Sequence, residues 1–249
     1  MMLALGIFAT IFAGACLQRV SGMGIGLVGG PVLMLILGPV QGILVVNVFA
    51  CINAMVTTMT VRDHVDWRRF WLIAPVMVFG SIPAALLISN MDTGPLLIVV
   101  GGALVAALAV VTFGKRFVPV LHGPGAAISA GVLGGFTNTL AGAAGPVIAV
   151  YAQAARWPTY VYTATLQPIF FVGGLISVLV KLGFGAGGMA SVDWVIWPAA
   201  FVGMFAGIVV GGWLAGKIDR ENAHRLSLIV AVLGALSAMI RGVTQILGY

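Results

Sequence analysis

Charged residues are scarce in this sequence: they make up 7% of its 249 residues, whereas hydrophobic residues make up 61%. The mean hydropathy is +1.16. In an ordinary soluble domain about a quarter of the residues carry a charge, and so this composition excludes that class. The sequence therefore predicts an all-α, polytopic integral membrane protein.

Residues with catalytic or metal-binding side chains are also few. The six acidic residues lie at or beyond the ends of apolar runs, which leaves no buried carboxylate pair for an aspartyl protease or a proton relay. Cys16 and Cys51 lie within apolar runs without Cys-x-x-Cys spacing, and the sequence has no Walker motif or Ser/His dyad. We therefore expect no enzyme activity, no metal and no other cofactor.

Six uninterrupted apolar runs are long enough to cross a bilayer, which takes about 20 residues. Two further runs are longer but interrupted by glycine and proline, and the eight runs together predict eight helical elements. The net charge of +6 lies mostly in the short connections, as is typical of membrane proteins. The expected partner is therefore a lipid bilayer and not nucleic acid. The uninterrupted runs lie near 40–60, 70–89, 95–113, 159–182, 194–217 and 226–247, and the interrupted ones at 2–37 and 125–153.

The two interrupted runs share a pattern. The segment GMGIGLVGGPVLM at 22–34 returns in degenerate form 115 positions later as TNTLAGAAGPVIA at 137–149. Glycine tolerates positive φ and proline lacks an N–H, so each run predicts a helix that breaks and restarts at Pro31 or Pro146. Matching breaks in two halves of a chain point to the binding site of a transporter. Close packing of helices through small residues is the alternative interpretation.

A second correspondence indicates that the whole chain is duplicated. The tripeptide Val-Asp-Trp occurs at 65–67 and again at 192–194, and Gly80 is matched by Gly207 at the same offset of 127. Two blocks that recur in the same order are a stronger signal than either alone. The predicted units are a first four-helix repeat at 1–114, a linker at 115–124 and a second four-helix repeat at 125–249.

The basic residues favour an inverted relation between the two repeats. If each broken element enters and returns on the same side, nine Lys and Arg residues share one face against two, whereas parallel repeats give seven against four. The positive-inside rule favours the first arrangement. Residues 2–37 would also form about 54 Å of helix, far more than a hydrocarbon core of roughly 30 Å. We therefore expect two inverted repeats, each with a broken or re-entrant first helix, in the cell inner or plasma membrane with both termini on the periplasmic or extracellular side. The nine are Arg62, Arg68, Arg69, Lys115, Arg116, Arg156, Lys217, Arg220 and Arg225, and the two are Lys181 and Arg241.

The glycine-rich broken helix that ends in Gly-Gly-Pro31, its partial repeat at Gly145-Pro146 and the count of four plus four helices resemble the TauE/SafE family, also called the TSUP family. The resemblance covers essentially the whole chain. It implies a transporter that exports a small anion, such as sulfite, sulfoacetate or another organosulfonate. A homodimer is the candidate assembly of the protein.

Anion binding also follows from the residues themselves. Helix N-termini offer unpaired N–H groups and a partial positive charge, and polar side chains deep in a membrane helix are functional candidates. Interhelical hydrogen bonds are the alternative role for the amides, and snorkelling is the alternative for the arginines. The candidate substrate-binding residues are Arg19, Ser21, Gly22, Gly24, Asn47, Asn53, Thr137, Asn138, Thr139, Arg156 and Gln167.

The function that these patterns favour is secondary transport of a small anion by alternating access between the broken helices. An anion channel of similar architecture is one alternative. A membrane scaffold protein without a substrate is the other.

Overall fold

The computed structural model describes residues 2–113, 123–188 and 192–248, and every regular element within these ranges is a helix. Two short helical turns supplement the α-helices: a π-helix at Ile25–Gly29 and a 3₁₀ turn at Arg62–His64. The α-helices are α1 (Met2–Ser21), α2 (Gly30–Leu37), α3 (Pro39–Val61), α4 (Trp67–Ile73), α5 (Met77–Ser89), α6 (Thr93–Phe113), α7 (Pro124–Ala141), α8 (Gly145–Ala154), α9 (Thr159–Gly183), α10 (Ile196–Leu214) and α11 (Arg220–Leu247).

Seven helices in the described part of the chain are long and apolar enough to cross a membrane. Each of the six uninterrupted runs expected from hydropathy coincides with one of these helices, and α1 is the seventh. The prediction of a multi-pass, all-helical membrane protein is therefore confirmed. Two of these spans combine elements, since Pro39–His64 adds the 3₁₀ turn to α3 and Trp67–Ser89 joins α4 and α5 through a turn at 74–76. The seven are Met2–Ser21, Pro39–His64, Trp67–Ser89, Thr93–Phe113, Thr159–Gly183, Ile196–Leu214 and Arg220–Leu247.

Both interrupted runs do break, and the α-helix that follows each break has proline in its first turn. In the second run α8 begins at Gly145, as predicted. In the first run α2 begins at Gly30 with Pro31 in its first turn, but a π-helix precedes it, so the helical backbone already restarts at Ile25. A proline is tolerated there because the spacing of the backbone hydrogen bonds changes at that point.

The second break is short and follows the polar residues at the start of the repeated segment. The residues 137–139 form part of the last turn of α7, which ends at Ala141. The break itself comprises residues 142–144, and it begins with Gly142 at a φ of +71°. Glycine adopts this left-handed conformation without steric cost, so the helix ends at the glycine and not at the polar residues before it.

Glycine allows close contact between helices of the two halves. A Cβ on Gly80 in α5 would overlap the carbonyl oxygen of Val132 in α7, and a Cβ on Gly207 in α10 would meet the carbonyl oxygen of Phe12 in α1. These are the two glycines that the sequence matched at an offset of 127. Each of them therefore makes the same kind of contact, with the first helix of the opposite half.

The packed pairs of helices also have defined directions. Along α1 and α10, Phe8 lies beside Gly203 and Cys16 beside Gly211, so these helices run parallel. The span formed by α4 and α5 is parallel to α7, because Gly131 lies beside Ile73 at the end of α4 and Gly135 beside Met77 at the start of α5.

Two further pairs are antiparallel, and each joins helices at corresponding places in the two predicted repeats. In the central pair, α3 and α9, Asn47 contacts Ser177 and Cys51 contacts Phe171. In the outer pair, Gly94 of α6 lies beside Gly242 of α11. The helices α3 and α9 are the most buried of the seven candidate spans, and they form the centre of the protein.

Candidate functional site

The two breaks in the helices lie against each other at the centre of the protein. A Cβ on Gly26 would overlap the carbonyl oxygen of Gly142, and one on Gly30 would lie 2.7 Å from the carbonyl oxygen of Ala141. Only residues without side chains permit this backbone-to-backbone contact. The glycines of the first segment therefore bring the two broken helices together.

Between the breaks lies a small cavity of about 20 Å³, which we call the central cavity. This volume accommodates about one water molecule, so the cavity must widen before an anion can occupy it. Its polar side chains are three amides, from Gln18, Asn47 and Asn138, and Phe170 and Met23 contribute apolar surface.

Two helix N-termini point into the central cavity. The π-helix begins at Ile25 and α8 begins at Gly145, and Gly24, Gly26 and Gly145 line the cavity. The first turn of a helix carries N–H groups without intrahelical partners and a partial positive charge. Two such ends that face one cavity make it a favourable environment for an anion.

The side-chain amide of Asn138 lacks a hydrogen-bond partner. Asn138 is 7% exposed, and within the described part of the chain its Nδ2 atom has nothing to donate to. Leaving a buried donor unpaired costs about 1–3 kcal/mol. Because Asn138 lines the central cavity, a ligand oxygen placed there would accept this hydrogen bond.

The other two amides of the cavity are already paired. Asn47 Nδ2 donates to Ser177 Oγ at 2.7 Å. Gln18 Nε2 donates to Gln167 Oε1 at 3.3 Å, and Gln18 Oε1 accepts from the N–H of Ile25 at 3.2 Å. Gln18 thus occupies the start of the π-helix and links it to α9.

A much larger opening, of about 560 Å³, leads from one face of the protein to these residues. We call it the vestibule. Arg19 and Arg220 supply its positive charges, and Arg19 Nη1 donates to Thr60 Oγ1 at 3.1 Å. Among the described residues no acidic side chain lines it. The lining comprises Gln18, Arg19, Val20, Ser21, Gly22, Thr57, Thr60, Val61, His64, Tyr160, Thr163, Ala164, Gln167 and Arg220.

Gln18 and Gln167 form the inner end of the vestibule. Both side chains line it, and Gln18 also lines the central cavity. Gln167 Nε2 additionally lies 3.2 Å from the carbonyl oxygen of Gly22, so this amide holds the first break in place. The Gln18–Gln167 pair therefore separates the vestibule from the central cavity.

The remaining candidates around the first break are brought into the site. Gly22 adopts a φ of +85° and Ser21 Oγ accepts from the N–H of Met23 at 3.4 Å; both residues line the vestibule. Gly24 lines the central cavity, but a Cβ there would also overlap backbone atoms of Gly14 and Gln18. The conformation of the first break therefore depends on close packing as well as on open space.

Four candidates lie away from the vestibule and the cavity. Asn53 is buried in α3, and Thr139 is buried in α7 with an unpartnered hydroxyl group. Thr137 faces an apolar groove lined by α6, α7 and α8, where its hydroxyl donates to Leu133. Arg156 is exposed after α8, with a φ of +52°, which agrees with an interfacial position.

Sequence reasoning missed Gln18, whose side chain makes two hydrogen bonds between the first break and α9. Its sequence signal was an amide in an apolar run. The neighbouring Arg19 is the stronger candidate by charge, and Gln18 was not considered beside it. Its partners, Ile25 and Gln167, are seven and 149 positions away. The second distance depends on the tertiary fold and not on any local pattern.

Comparison with known proteins adds one finding. A family model described as sulfite exporter TauE/SafE matches residues 7–239. This range includes both breaks, the three amides of the central cavity and the residues that line the vestibule. No curated protein and no solved structure matches the chain.

Proposed function

Because the chain belongs to the sulfite exporter TauE/SafE family, we propose that it is a secondary transporter that exports a small sulfur-containing anion. The observation that carries this proposal is the central cavity, where two helix N-termini and the unpaired amide of Asn138 converge. All of these groups donate hydrogen bonds or carry partial positive charge. Sulfite and organosulfonates such as sulfoacetate present acceptor oxygens that satisfy them.

The vestibule supports the same class of substrate. The guanidinium groups of Arg19 and Arg220 attract anions from solution. A cleft whose charge is opposite in sign to that of a ligand raises the local concentration of that ligand. The cleft narrows to the Gln18–Gln167 pair. An anion that enters reaches the central cavity when this pair of amides separates.

We propose that the two halves are inverted repeats that exchange conformations during transport. Antiparallel packing of α3 with α9 supports this relation, because these helices occupy equivalent places in the two halves. The parallel pairs α1 with α10 and α7 with α5 support it as well, since they are the same contact with the halves exchanged. Alternating access then consists of closing the vestibule and opening the other side of the central cavity.

The vestibule is proposed to face the cytoplasm. Arg19 and Arg220 line it. The guanidinium group of Arg69, near the start of α4, stacks on Trp157, which follows the end of α8, at 4.7 Å. Arg241, in contrast, donates to the carbonyl oxygen of Leu35 near the opposite ends of α2 and α11. Lys115 and Arg116 lie outside the described residues. The excess of positive charge on the vestibule side is what the positive-inside rule requires.

This orientation predicts a labelling pattern. In a variant without native cysteines, single cysteines at Arg69 and Arg220 should resist an impermeant maleimide added to intact cells, whereas those at Asp92 and Asp193 should react. Permeabilised cells control for exposure, because all four positions should then be labelled. Reaction at position 220 but not at position 92 in intact cells would rule out the inverted arrangement.

The chemistry of the site predicts its selectivity. Taurine carries an ammonium group besides its sulfonate, and among the described residues no carboxylate lines the central cavity or the vestibule to receive it. Taurine should therefore bind at least about tenfold more weakly than sulfoacetate, since an unpaired charge costs more than 1.4 kcal/mol. Titration calorimetry on the purified protein measures both. Equal or tighter binding of taurine contradicts the proposed site.

A further inference from the structure

A fully buried lysine lies near the end of α9 that is remote from the vestibule. Lys181 has no exposed surface, and its Nζ atom makes no hydrogen bond within the described ranges. Thr163 near the start of α9 lines the vestibule, and Lys181 lies about 27 Å further along the helix at 1.5 Å per residue. A cation buried without a partner is costly, and an ionisable residue inside a membrane domain indicates a functional site.

Two polar side chains lie between the central cavity and the turn of α9 that carries Lys181. Ser177 is one helical turn before Lys181, so both residues lie on the same face of α9. The hydroxyl group of Ser177 accepts a hydrogen bond from Asn47, which lines the central cavity. Asn47, Ser177 and Lys181 are therefore polar residues that follow one another from the cavity towards the side opposite the vestibule.

The relation between α3 and α9 gives this path a counterpart. An offset of 120 pairs Asn47 with Gln167, and the same offset pairs Thr57 with Ser177 and Val61 with Lys181. Cys51 and Phe171 also differ by 120, and they contact each other. The axis that relates the two halves therefore passes between α3 and α9 at this contact. Thr57, Val61 and Gln167 all line the vestibule. When the halves exchange conformations, their counterparts should line an opening on the other face.

We propose that Lys181 is the anion-binding residue of a second vestibule, which opens on the opposite face of the membrane when the first vestibule closes. This inference rests on the proposed function. In the present conformation a turn ends α9 here, in which the N–H of Ala186 donates to the carbonyl oxygen of Lys181 at 2.9 Å, and the Lys181 side chain is fully buried. Opening there exposes the ammonium group, and the departing sulfonate or sulfite becomes its partner.

The first test separates binding from transport. Lys181→Met removes the charge but keeps an unbranched apolar side chain, and the variant should fold because an unpaired buried charge does not stabilise a core. Sulfoacetate should bind to it from the vestibule with unchanged affinity, whereas counterflow into proteoliposomes should fall about tenfold or more, the effect of losing a hydrogen bond to a charged group. Lys181→Arg should restore counterflow. Lys217→Met, which removes a lysine stacked on Trp213, should leave it unchanged.

The second test examines the opening itself. In a background without native cysteines, Lys181→Cys should react with an impermeant sulfonated thiosulfonate reagent from outside the cell, and Val61→Cys should react from the cytoplasmic side. Wild-type counterflow by Lys181→Met, or reaction of Lys181→Cys from the cytoplasmic side alone, overturns the proposal. If the wild-type protein itself neither binds nor transports the anion, the proposed function fails first.

Discussion

Replacing Asn138 with aspartate is expected to abolish measurable anion binding, and replacing it with alanine to weaken binding about tenfold to hundredfold. Alanine removes one hydrogen bond to a charged ligand, worth about 1.5–3 kcal/mol. Aspartate weakens binding further, because its carboxylate places a negative charge beside the two helix N-termini and repels the anion that would bind there. Juxtaposed like charges cost several kcal/mol. Titration calorimetry with sulfoacetate measures both variants.

Thr139 provides the matched control for Asn138. It is the next residue in α7, and its hydroxyl group is also buried without a partner among the described residues, but it does not line the central cavity. Thr139→Val should therefore bind sulfoacetate with the affinity of the wild type. A folded Asn138→Ala protein with unchanged affinity would remove Asn138 from the site and weaken the proposal that the second break binds the anion.

Gly80→Ala is expected to destabilise the protein strongly, although it adds a single methyl group. That methyl would overlap the carbonyl oxygen of Val132, and a backbone atom has no alternative rotamer to adopt. The helices α5 and α7 must then separate, at a cost of about 1–3 kcal/mol or more. We expect little monodisperse protein after detergent extraction and a lower melting temperature for what remains.

Gly207→Ala and Gly102→Ala complete this comparison. Gly207 meets α1 as Gly80 meets α7, so its replacement should also destabilise the protein, whereas a Cβ on Gly102 in α6 has no neighbouring atom within 4 Å. Gly102→Ala should melt at or above the wild-type temperature, because alanine favours helix. Equal melting temperatures for Gly80→Ala and Gly102→Ala would contradict the close packing of α5 on α7.

Much of the fold could be predicted from the sequence because a bilayer leaves the backbone few choices. A long apolar run in lipid must pair its N–H and C=O groups internally, and so each of the six uninterrupted runs gave a helix. The breaks were harder. Proline marked the start of α8 correctly, but Pro31 did not mark the restart at Ile25, because the π-helix that accommodates it has no comparable sequence signal.

The site was predictable in part for a similar reason. Asn47, Asn138 and Gln167 stood out as amides deep in apolar runs, and all three line the cavity or the vestibule. Lys181 did not stand out, since a lysine near a helix end commonly reaches the membrane surface. Its burial depends on the tertiary packing around α9, which cannot be recognised from residues near position 181.

Counterflow of radiolabelled sulfoacetate in proteoliposomes tests the central claim most directly. Vesicles loaded with unlabelled sulfoacetate should take up external label to a transient level above equilibrium, because a carrier must return with a bound substrate, whereas vesicles loaded with taurine should show a much smaller overshoot. The Asn138→Asp protein should show none. Label that enters wild-type vesicles without any overshoot, as through a channel, or that does not enter at all, as with a scaffold protein, would contradict transport by alternating access.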